Sequence, residues 1–215
     1  MLTNMDKLYE SVAANGPVCV GLDTEISYLP TTDTAKTAGE NVVAFNRALI
    51  DATKGVAGCY KVQIAYYESL GLDGMRAYAE TLNDCASQLS GTKVYSMVIP
   101  NHSEFGVPER VRNYYEEASQ RENTMAVNNT LSASITAVDI YDALNLHNNE
   151  DIYFDTDTHW APLGAFYAYE KFCEAAGVTP TTLDSFTKTS SAFTGYLAYV
   201  TSEDVLNNNP DTLDL

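Results

Sequence analysis

The densest run of residues that could do chemistry is 155–160, which reads Asp-Thr-Asp-Thr-His-Trp. Asp157 lies two residues before His159, a spacing at which a carboxylate can orient an imidazole ring and stabilise its charged form. An imidazole held in this way can act as a general base toward a serine hydroxyl. The pair is therefore a candidate catalytic dyad.

The same run supports two other interpretations. Asp157 or Thr158 could cap the start of a helix, with His159 and Trp160 packed as aromatic side chains. Alternatively, Asp155, Asp157 and His159 alternate along the chain, so they would share one face of a strand and could bind a metal ion. The spacing alone leaves both alternatives open, although no other histidine cluster supports the metal site.

A second candidate pair, Asp23 and Lys61, lies in the N-terminal part of the chain. Asp23 ends the apolar run 18–22, and Lys61 lies within the predicted strand 56–64. The C-terminal ends of parallel strands carry the active site in β/α barrels, and a lysine in a buried strand needs a partner for its charge. The alternatives are a turn residue for Asp23 and an edge position from which Lys61 reaches solvent.

The elements that must position these residues alternate between strands and helices. Strands are predicted at 18–22, 56–64, 94–99, 137–140 and 152–154, and helices at 40–54, 71–83, 108–117, 124–132 and 161–176. Pro162 suits the first turn of the last helix and Gly177 its C-terminal end. This order favours the α/β class, with mostly parallel strands and covering helices. After Ser202 the sequence is polar, and we predict no further element.

Composition limits the classes of partner. The chain has 215 residues, 45% of them apolar, and a net charge of −17. Nucleic acids and anionic membranes both require positive charge, so neither is an expected partner. The charge is uneven, since residues 1–83 carry −4 and residues 84–215 carry −13. Without a signal peptide or a long apolar segment, the sequence predicts a cytoplasmic protein.

The four cysteines, Cys19, Cys59, Cys85 and Cys173, match no zinc or redox motif. Cys19 and Cys59 lie within apolar runs, where a free thiol behaves as a small buried hydrophobic residue. We therefore expect all four cysteines to be structural. No metal ion and no cofactor is expected.

The N-terminal part resembles a known enzyme. Residues 16–24 (GPVCVGLDT) and 60–71 (YKVQIAYYESLG) are similar to the start of the second bacterial type of orotidine 5′-phosphate decarboxylase, an enzyme of pyrimidine biosynthesis. The resemblance covers about residues 5–83 and implies a partial β/α-barrel segment. It also implies that Asp23 and Lys61 contact the ribose side of a UMP-like nucleotide.

The catalytic part of that family is missing from the sequence. The family's third strand carries an Asp-x-Lys-x-x-Asp array, and none of the seven lysines here has an aspartate two residues before it. The resemblance includes only the first two β/α units, which cannot close an eight-unit barrel. We therefore expect no decarboxylase activity.

The C-terminal part resembles a second family. Residues 153–169 are similar to the DHHW family, bacterial proteins related to the alginate O-acetyltransferase-like members of the SGNH hydrolases. Further matching segments are 94–100, 138–144 and 193–197. The resemblance extends from about residue 78 and implies an SGNH-like, flavodoxin-like three-layer segment of an extracytoplasmic family. It implies that Asp157 and His159 belong to a Ser-His-Asp triad acting on a glycan or small-molecule ester.

The serine of such a triad is not evident. In the relatives it lies downstream, in an Asp-Ser motif that follows a buried strand, and the sequence to Leu215 contains no such segment. Asp184-Ser185 is an Asp-Ser pair, but residues 179–183 do not read as a buried strand. Ser185 is therefore expected to be a turn residue.

The two resemblances together predict a chimera. A truncated decarboxylase-like segment, 1–80, would precede a truncated DHHW/SGNH-like segment, 81–215, with no linker between them. The leading hypothesis is a catalytically inactive chain that keeps an acyltransferase or esterase dyad. The alternatives are an orotidine 5′-phosphate decarboxylase and a non-enzymatic protein. Each segment would expose apolar surface, so self-association is expected.

Overall fold

The computed structural model describes residues 4–89, 91–112, 119–187 and 189–214. The helices are α1 (Asn4–Asn15), α2 (Ala38–Thr53), α3 (Ile64–Glu68), α4 (Gly71–Ser87), α5 (His102–Gly106), α6 (Glu109–Arg112), α7 (Gln120–Thr130), α8 (Tyr141–Leu146), α9 (Pro162–Ala176), α10 (Tyr196–Thr201) and α11 (Asp204–Asn208). The strands are β1 (Cys19–Gly21), β2 (Cys59–Lys61), β3 (Val94–Ser96), β4 (Ile135–Ala137), β5 (Ser190–Phe193) and β6 (Asp211–Asp214). Short 3-10 turns lie at Ile26–Tyr28 and Leu183–Ser185.

The chain forms two compact units. The first unit comprises residues 1–94 and 122–135, and the second comprises residues 95–121 and 136–215. The strands pair as β1 with β2, β3 with β4, and β5 with β6. The mixed α/β class is thus confirmed, and among the described residues each sheet has two strands and none closes into a barrel.

A capping box starts α2 in the first unit. The Thr37 hydroxyl accepts a hydrogen bond from the Glu40 backbone N–H at 3.1 Å, and the Glu40 carboxylate accepts one from the Thr37 N–H at 2.8 Å. Asp73 of α4 accepts from the Gly39 N–H at 2.6 Å, which joins the first turns of α2 and α4. A Cβ at Gly39 would lie 2.7 Å from the Asp73 carbonyl oxygen, so this approach requires glycine.

A buried polar network fixes the end of β1. Asn46 accepts a hydrogen bond from Thr24 at 2.6 Å and donates to Tyr67 at 2.8 Å and to Thr81 at 3.2 Å. The Tyr67 hydroxyl donates in turn to the Leu22 carbonyl oxygen at 2.8 Å. Burial raises the pKa of Tyr67 to about 12, so its hydroxyl stays a donor. The network therefore satisfies its own buried polar groups.

The core of the second unit lies beneath α9. Its buried members are Val138, Ile140, Leu144, Ile152, Tyr153 and Ala168. The predicted signals of α9 are confirmed, because Pro162 occupies the first turn and Gly177 ends the helix at a φ of 70°. Gly164 faces the Ile152 carbonyl oxygen, and a Cβ there would overlap it. These features hold α9 against the segment that precedes the Asp-Thr-His run.

Several expectations about strands are wrong. Segment 152–154 forms only an isolated bridge, because the chain turns back within a few residues. Residues 62–64 leave the predicted strand 56–64, since Ile64 already begins α3. β5 and β6 are antiparallel, whereas β1 and β2 are parallel, so the expected parallel pattern describes only part of the chain. The polar tail after Ser202 forms α11 and β6, which the sequence did not predict.

Two further expectations concern the thiols and the helix at 108–117. Cys19 is exposed and Cys59 is half-buried, because β1 and β2 form a two-stranded sheet that leaves Cys19 uncovered; the prediction of two buried cysteines is wrong. The predicted helix is present as α6 up to residue 112, and its continuation over 113–118 lies outside the described residues.

Candidate active site

Asp157 and His159 lie in a tight hairpin. Tyr153 and Trp160 pair across its base in an antiparallel bridge, and the Phe154 N–H donates to the His159 carbonyl oxygen at 3.2 Å. Tyr153 is buried in the core of the second unit, where its hydroxyl donates to a backbone carbonyl oxygen. The base of the hairpin is therefore anchored, and its tip carries the polar side chains.

The structure brings the predicted pair together. Nδ1 of His159 lies 2.6 Å from Oδ1 of Asp157, and the same oxygen accepts the His159 backbone N–H at 3.0 Å. The other carboxylate oxygen, Oδ2, accepts the Tyr196 N–H at 2.7 Å. Asp157 is only 6% exposed, whereas the side chain of His159 is 79% exposed. A buried, fully hydrogen-bonded carboxylate thus holds a ring that faces solvent.

The electrostatics of Asp157 follow from these contacts. Burial raises its pKa, but the hydrogen bond from the Tyr196 N–H, together with those from His159, outweighs burial and lowers the pKa to about 2. The carboxylate is therefore charged at neutral pH and can only accept hydrogen bonds. Nδ1 of His159 must then carry the proton of the shared bond, which leaves Nε2 as the basic nitrogen of the neutral ring.

Asp211 and Thr156 hold the hairpin and were not found from the sequence. The Asp211 carboxylate accepts the N–H groups of Asp155 at 2.7 Å and of Thr156 at 2.8 Å, and it also accepts the Thr156 hydroxyl. Thr156 is fully buried, and its hydroxyl oxygen accepts the Gly195 N–H at 2.8 Å. No local pattern could reveal these partners, because Asp211 follows Thr156 by 55 residues.

Gly195 allows α10 to start against the dyad. A Cβ at this position would overlap the Asp157 side chain, so a larger residue would displace the carboxylate. The Leu197 N–H also donates to the Thr156 carbonyl oxygen at 2.9 Å. The first turn of α10 therefore supplies backbone N–H groups to both the carboxylate and the hairpin that carries it.

Ser185 behaves as a turn residue. It ends the 3-10 turn Leu183–Ser185, and its hydroxyl donates to the Thr182 carbonyl oxygen at 2.6 Å. Among the described residues, Nε2 of His159 has no hydrogen-bond partner. The observed arrangement is thus a dyad with an open basic nitrogen.

The other candidate pair lies at the C-terminal ends of β1 and β2. Lys61 Nζ is 3.9 Å from Asp23 Oδ1 and donates to Gln63 Oε1 at 3.0 Å. The side chains of Lys61 and Asp23 are 59% and 40% exposed, so the edge position describes Lys61 better than a buried one. The structure brings the predicted pair together as a loose ion pair, in which Lys61 is exposed but Oδ1 of Asp23 is buried without a hydrogen bond.

The described residues carry neither a metal-binding cluster nor a membrane-spanning helix. Within 4–89, 91–112, 119–187 and 189–214, no three His, Cys, Asp or Glu side chains are arranged to hold a metal ion. Over the same ranges, no helix combines the length and apolarity needed to cross a membrane.

Comparison with known proteins gives two different relationships. The family model described as DHHW protein matches residues 7–215, so the match begins well before the region around residue 78. The crystal structure of a DHHW family protein from Eubacterium siraeum DSM 15702 is 35% identical with a TM-score of 0.59, covering 65% of this chain and 46% of that chain. The O-acetyltransferase domain of Pseudomonas putida AlgJ is 20% identical with a TM-score of 0.45, covering 70% and 56%.

The second relationship is shorter and closer in sequence. Orotidine 5′-phosphate decarboxylase from Clostridium kluyveri is 54% identical over 82 residues, which is 36% of this chain and 28% of the enzyme. The enzyme from Clostridium perfringens strain SM101 is 54% identical over 80 residues, with the same coverage. The chain therefore spans less than a third of these decarboxylases and under half of the DHHW structure.

Proposed function

Because the chain belongs to the DHHW family, we propose that Asp157 and His159 are the general-base half of an SGNH-like O-acyltransferase or esterase site. One observation carries the proposal: a buried, ionised carboxylate lies 2.6 Å from Nδ1 of an exposed imidazole. In such a dyad the carboxylate fixes the tautomer, and Nε2 takes a proton from the attacking hydroxyl. The substrate class is a glycan ester or a small-molecule ester.

We propose that the described residues supply the dyad without the serine of a complete acyl-transfer site. A covalent mechanism needs a serine hydroxyl within hydrogen-bond reach of Nε2, and Ser185 is instead bonded to Thr182. His159 can still act as a base or a weak nucleophile toward an activated ester, as a free imidazole does. We therefore expect slow, histidine-dependent ester hydrolysis without an accumulating acyl-enzyme.

Hydrolysis of nitrophenyl acetate tests this proposal, with His159→Ala as the informative variant. His147→Ala is a matched control, because Nδ1 of His147 also lies 2.6 Å from a carboxylate, that of Glu150. We expect His159→Ala to lower the rate of hydrolysis at least about tenfold. His147→Ala should leave the rate unchanged. Equal rates for the wild type and His159→Ala would favour a non-enzymatic protein, and a burst of nitrophenol would reveal a nucleophile.

A second candidate function rests on the first unit. The 54% identity to the decarboxylases and the pairing of Asp23 with Lys61 support a retained ribose contact for a UMP-like nucleotide, without decarboxylation. Titration with uridine monophosphate tests it, and Lys61→Ala should weaken the binding relative to Lys54→Ala, a surface lysine outside the strand ends. If millimolar nucleotide produces neither a heat of binding nor an NMR shift change, the sequence identity reflects shared ancestry and not retained binding.

The origin of the chain is a further part of the proposal. We propose that segment 1–80 derives from a decarboxylase β/α barrel and segment 81–215 from an SGNH-like, flavodoxin-like three-layer protein, because the chain has relatives in both families. A long sequencing read across codons 70–90 of the source DNA tests the junction. Two separate genes in place of the junction would overturn the proposal of one encoded chimera.

A further inference from the structure

Cys19 and Cys59 face each other across the parallel pair of β1 and β2. The strand register places Cys19 directly opposite Cys59, as it places Gly21 opposite Lys61. Neighbouring strands lie about 4.8 Å apart, and residues in register project from the same side of the sheet. That separation falls within the range of about 4.4–6.8 Å between the Cα atoms of a disulfide.

The backbone around the two cysteines is fixed by contacts on both strands. The Gly58 N–H donates to the Val18 carbonyl oxygen at 2.9 Å, which extends the pairing by one residue beyond the thiols. The Gly58 carbonyl oxygen accepts the Ser11 hydroxyl of α1 at 2.8 Å. The two Cα atoms are therefore held in register, at a separation within the range that a disulfide spans.

The two thiols are neighbours, and one of them is open to solvent. Interaction with the Cys19 thiol raises the pKa of Cys59, with burial adding to the effect. Cys19 is exposed, whereas Cys173 is only 2% exposed. A soluble oxidant can thus reach Cys19 first, and Cys59 is the nearest second thiol.

We propose that Cys19 and Cys59 form a reversible disulfide by exchange with a low-molecular-weight disulfide such as oxidised glutathione. The Cys19 thiolate attacks one glutathione sulfur and releases one glutathione thiolate, which leaves a mixed disulfide on Cys19. The Cys59 thiolate then attacks the Cys19 sulfur and releases the second glutathione. The protein thiols give up two protons and two electrons, and the glutathione disulfide becomes two thiols.

The new bond joins β1 to β2 at their N-terminal ends, whereas Asp23 and Lys61 lie at the C-terminal ends. It closes a chain loop between residues 19 and 59, which restricts the unfolded chain and stabilises the first unit. Oxidation should therefore raise the melting temperature of the first unit, and dithiothreitol should reverse the rise.

The test is mass spectrometry of the full chain after incubation with oxidised glutathione and alkylation of the remaining thiols. The wild type should lose two of its four thiols, keep no glutathione, and yield a linked peptide pair containing Cys19 and Cys59. Cys85→Ser is the matched control and should form the same bond. Cys59→Ser should instead retain glutathione on Cys19.

Three results would overturn the proposal. The wild type could keep all of its thiols free, it could retain glutathione on Cys19 as Cys59→Ser does, or its linked peptides could contain Cys85 or Cys173. Because the wild-type result alone decides, a variant that fails to fold does not affect the test. Circular dichroism of each serine variant shows whether its result can be compared with that of the wild type.

Discussion

Both oxygens of the Asp157 carboxylate accept hydrogen bonds, and one of them positions a histidine. One oxygen binds Nδ1 and the backbone N–H of His159, and the other binds the N–H of Tyr196. At the scale of single residues, these hydrogen bonds keep the Asp157 carboxylate charged and fix the tautomer of the His159 ring. The Asp-x-His spacing predicted the contact, because two residues in a tight turn are always close.

The supporting residues could not be predicted in the same way. Thr156 depends on Gly195 and Asp211, which are 39 and 55 residues away in sequence. The sequence around Thr156 does not indicate that it is buried, because its hydrogen-bond partners come from distant parts of the chain. The sequence therefore predicted the contact between Asp157 and His159 and not the residues that hold it.

Asp211→Asn should loosen the hairpin. The asparagine side chain has one acceptor oxygen for three donors, so Asp155 and Thr156 lose hydrogen bonds. We expect the free energy of unfolding to fall by about 1–3 kcal/mol, measured by urea denaturation. Asp184→Asn, at an exposed turn position, is the control and should change stability little. Equal stability of both variants would show that Asp211 does not hold the loop.

The stability contributed by Asp157 should depend on acid pH. Its folded pKa of about 2 is below the ordinary value of 3.8, so its contribution is complete above about pH 4. The contribution is lost as pH falls through 2, and amounts to about 2 kcal/mol.

Comparison of the wild type with Asp157→Asn isolates this effect from other titrating groups. Urea denaturation at several pH values should show a difference between the two proteins that shrinks between about pH 5 and 2. A difference that stays constant over this range would contradict the lowered pKa.

At the scale of elements, local signals identified helices better than strands. The Pro162 start and the Gly177 end defined α9, and α2 was confirmed with a capping box. Strand β6 was missed because both it and its antiparallel partner, β5, are polar segments without the alternating apolar residues of a typical strand. Strand pairing between polar segments leaves little trace in sequence, whereas helix ends are set by nearby residues.

α4 and α7 show that the first unit extends beyond residue 80. The side-chain amide of Asn83 donates to the Thr130 carbonyl oxygen at 2.9 Å and accepts the Ser132 N–H at 2.7 Å. Asn83 thus joins the end of α4 to the end of α7. Helix α7 lies in the segment predicted to be DHHW-like, and yet most of it packs within the first unit.

Asn83→Ala should therefore destabilise the first unit. Two hydrogen bonds are lost and a partly buried carbonyl group is left without its donor, which costs about 1–3 kcal/mol. Hydrogen exchange should show faster exchange in α7 as well as in α4. Asn148→Ala, at an exposed position with only a local contact, is the control. Faster exchange confined to α4 would mean that Asn83 does not connect the two helices.

At the scale of the whole molecule, charge and apolar exposure oppose each other. The net charge of −17 keeps copies apart, while large side chains such as Tyr9, Tyr199 and Val205 are more than 60% exposed. The composition predicted the acidity, but the apolar exposure depends on which helix faces remain uncovered.

Self-association should consequently increase with salt. Added salt screens the repulsion between acidic chains and leaves apolar contacts intact. Sedimentation velocity at low and high sodium chloride should show a shift toward larger species at high salt. A monomer at both salt concentrations, or dissociation at high salt, would contradict the expectation.

The central claim is that Asp157 makes Nε2 of His159 the open basic nitrogen. Long-range nitrogen–proton NMR spectra of the histidine-labelled chain, recorded at mildly alkaline pH, report the tautomer of each neutral ring directly. We predict the Nδ1-protonated tautomer for His159 in the wild type and its loss in Asp157→Asn. An Nε2-protonated His159 in the wild type would contradict the dyad and remove the basis for its proposed role as a general base.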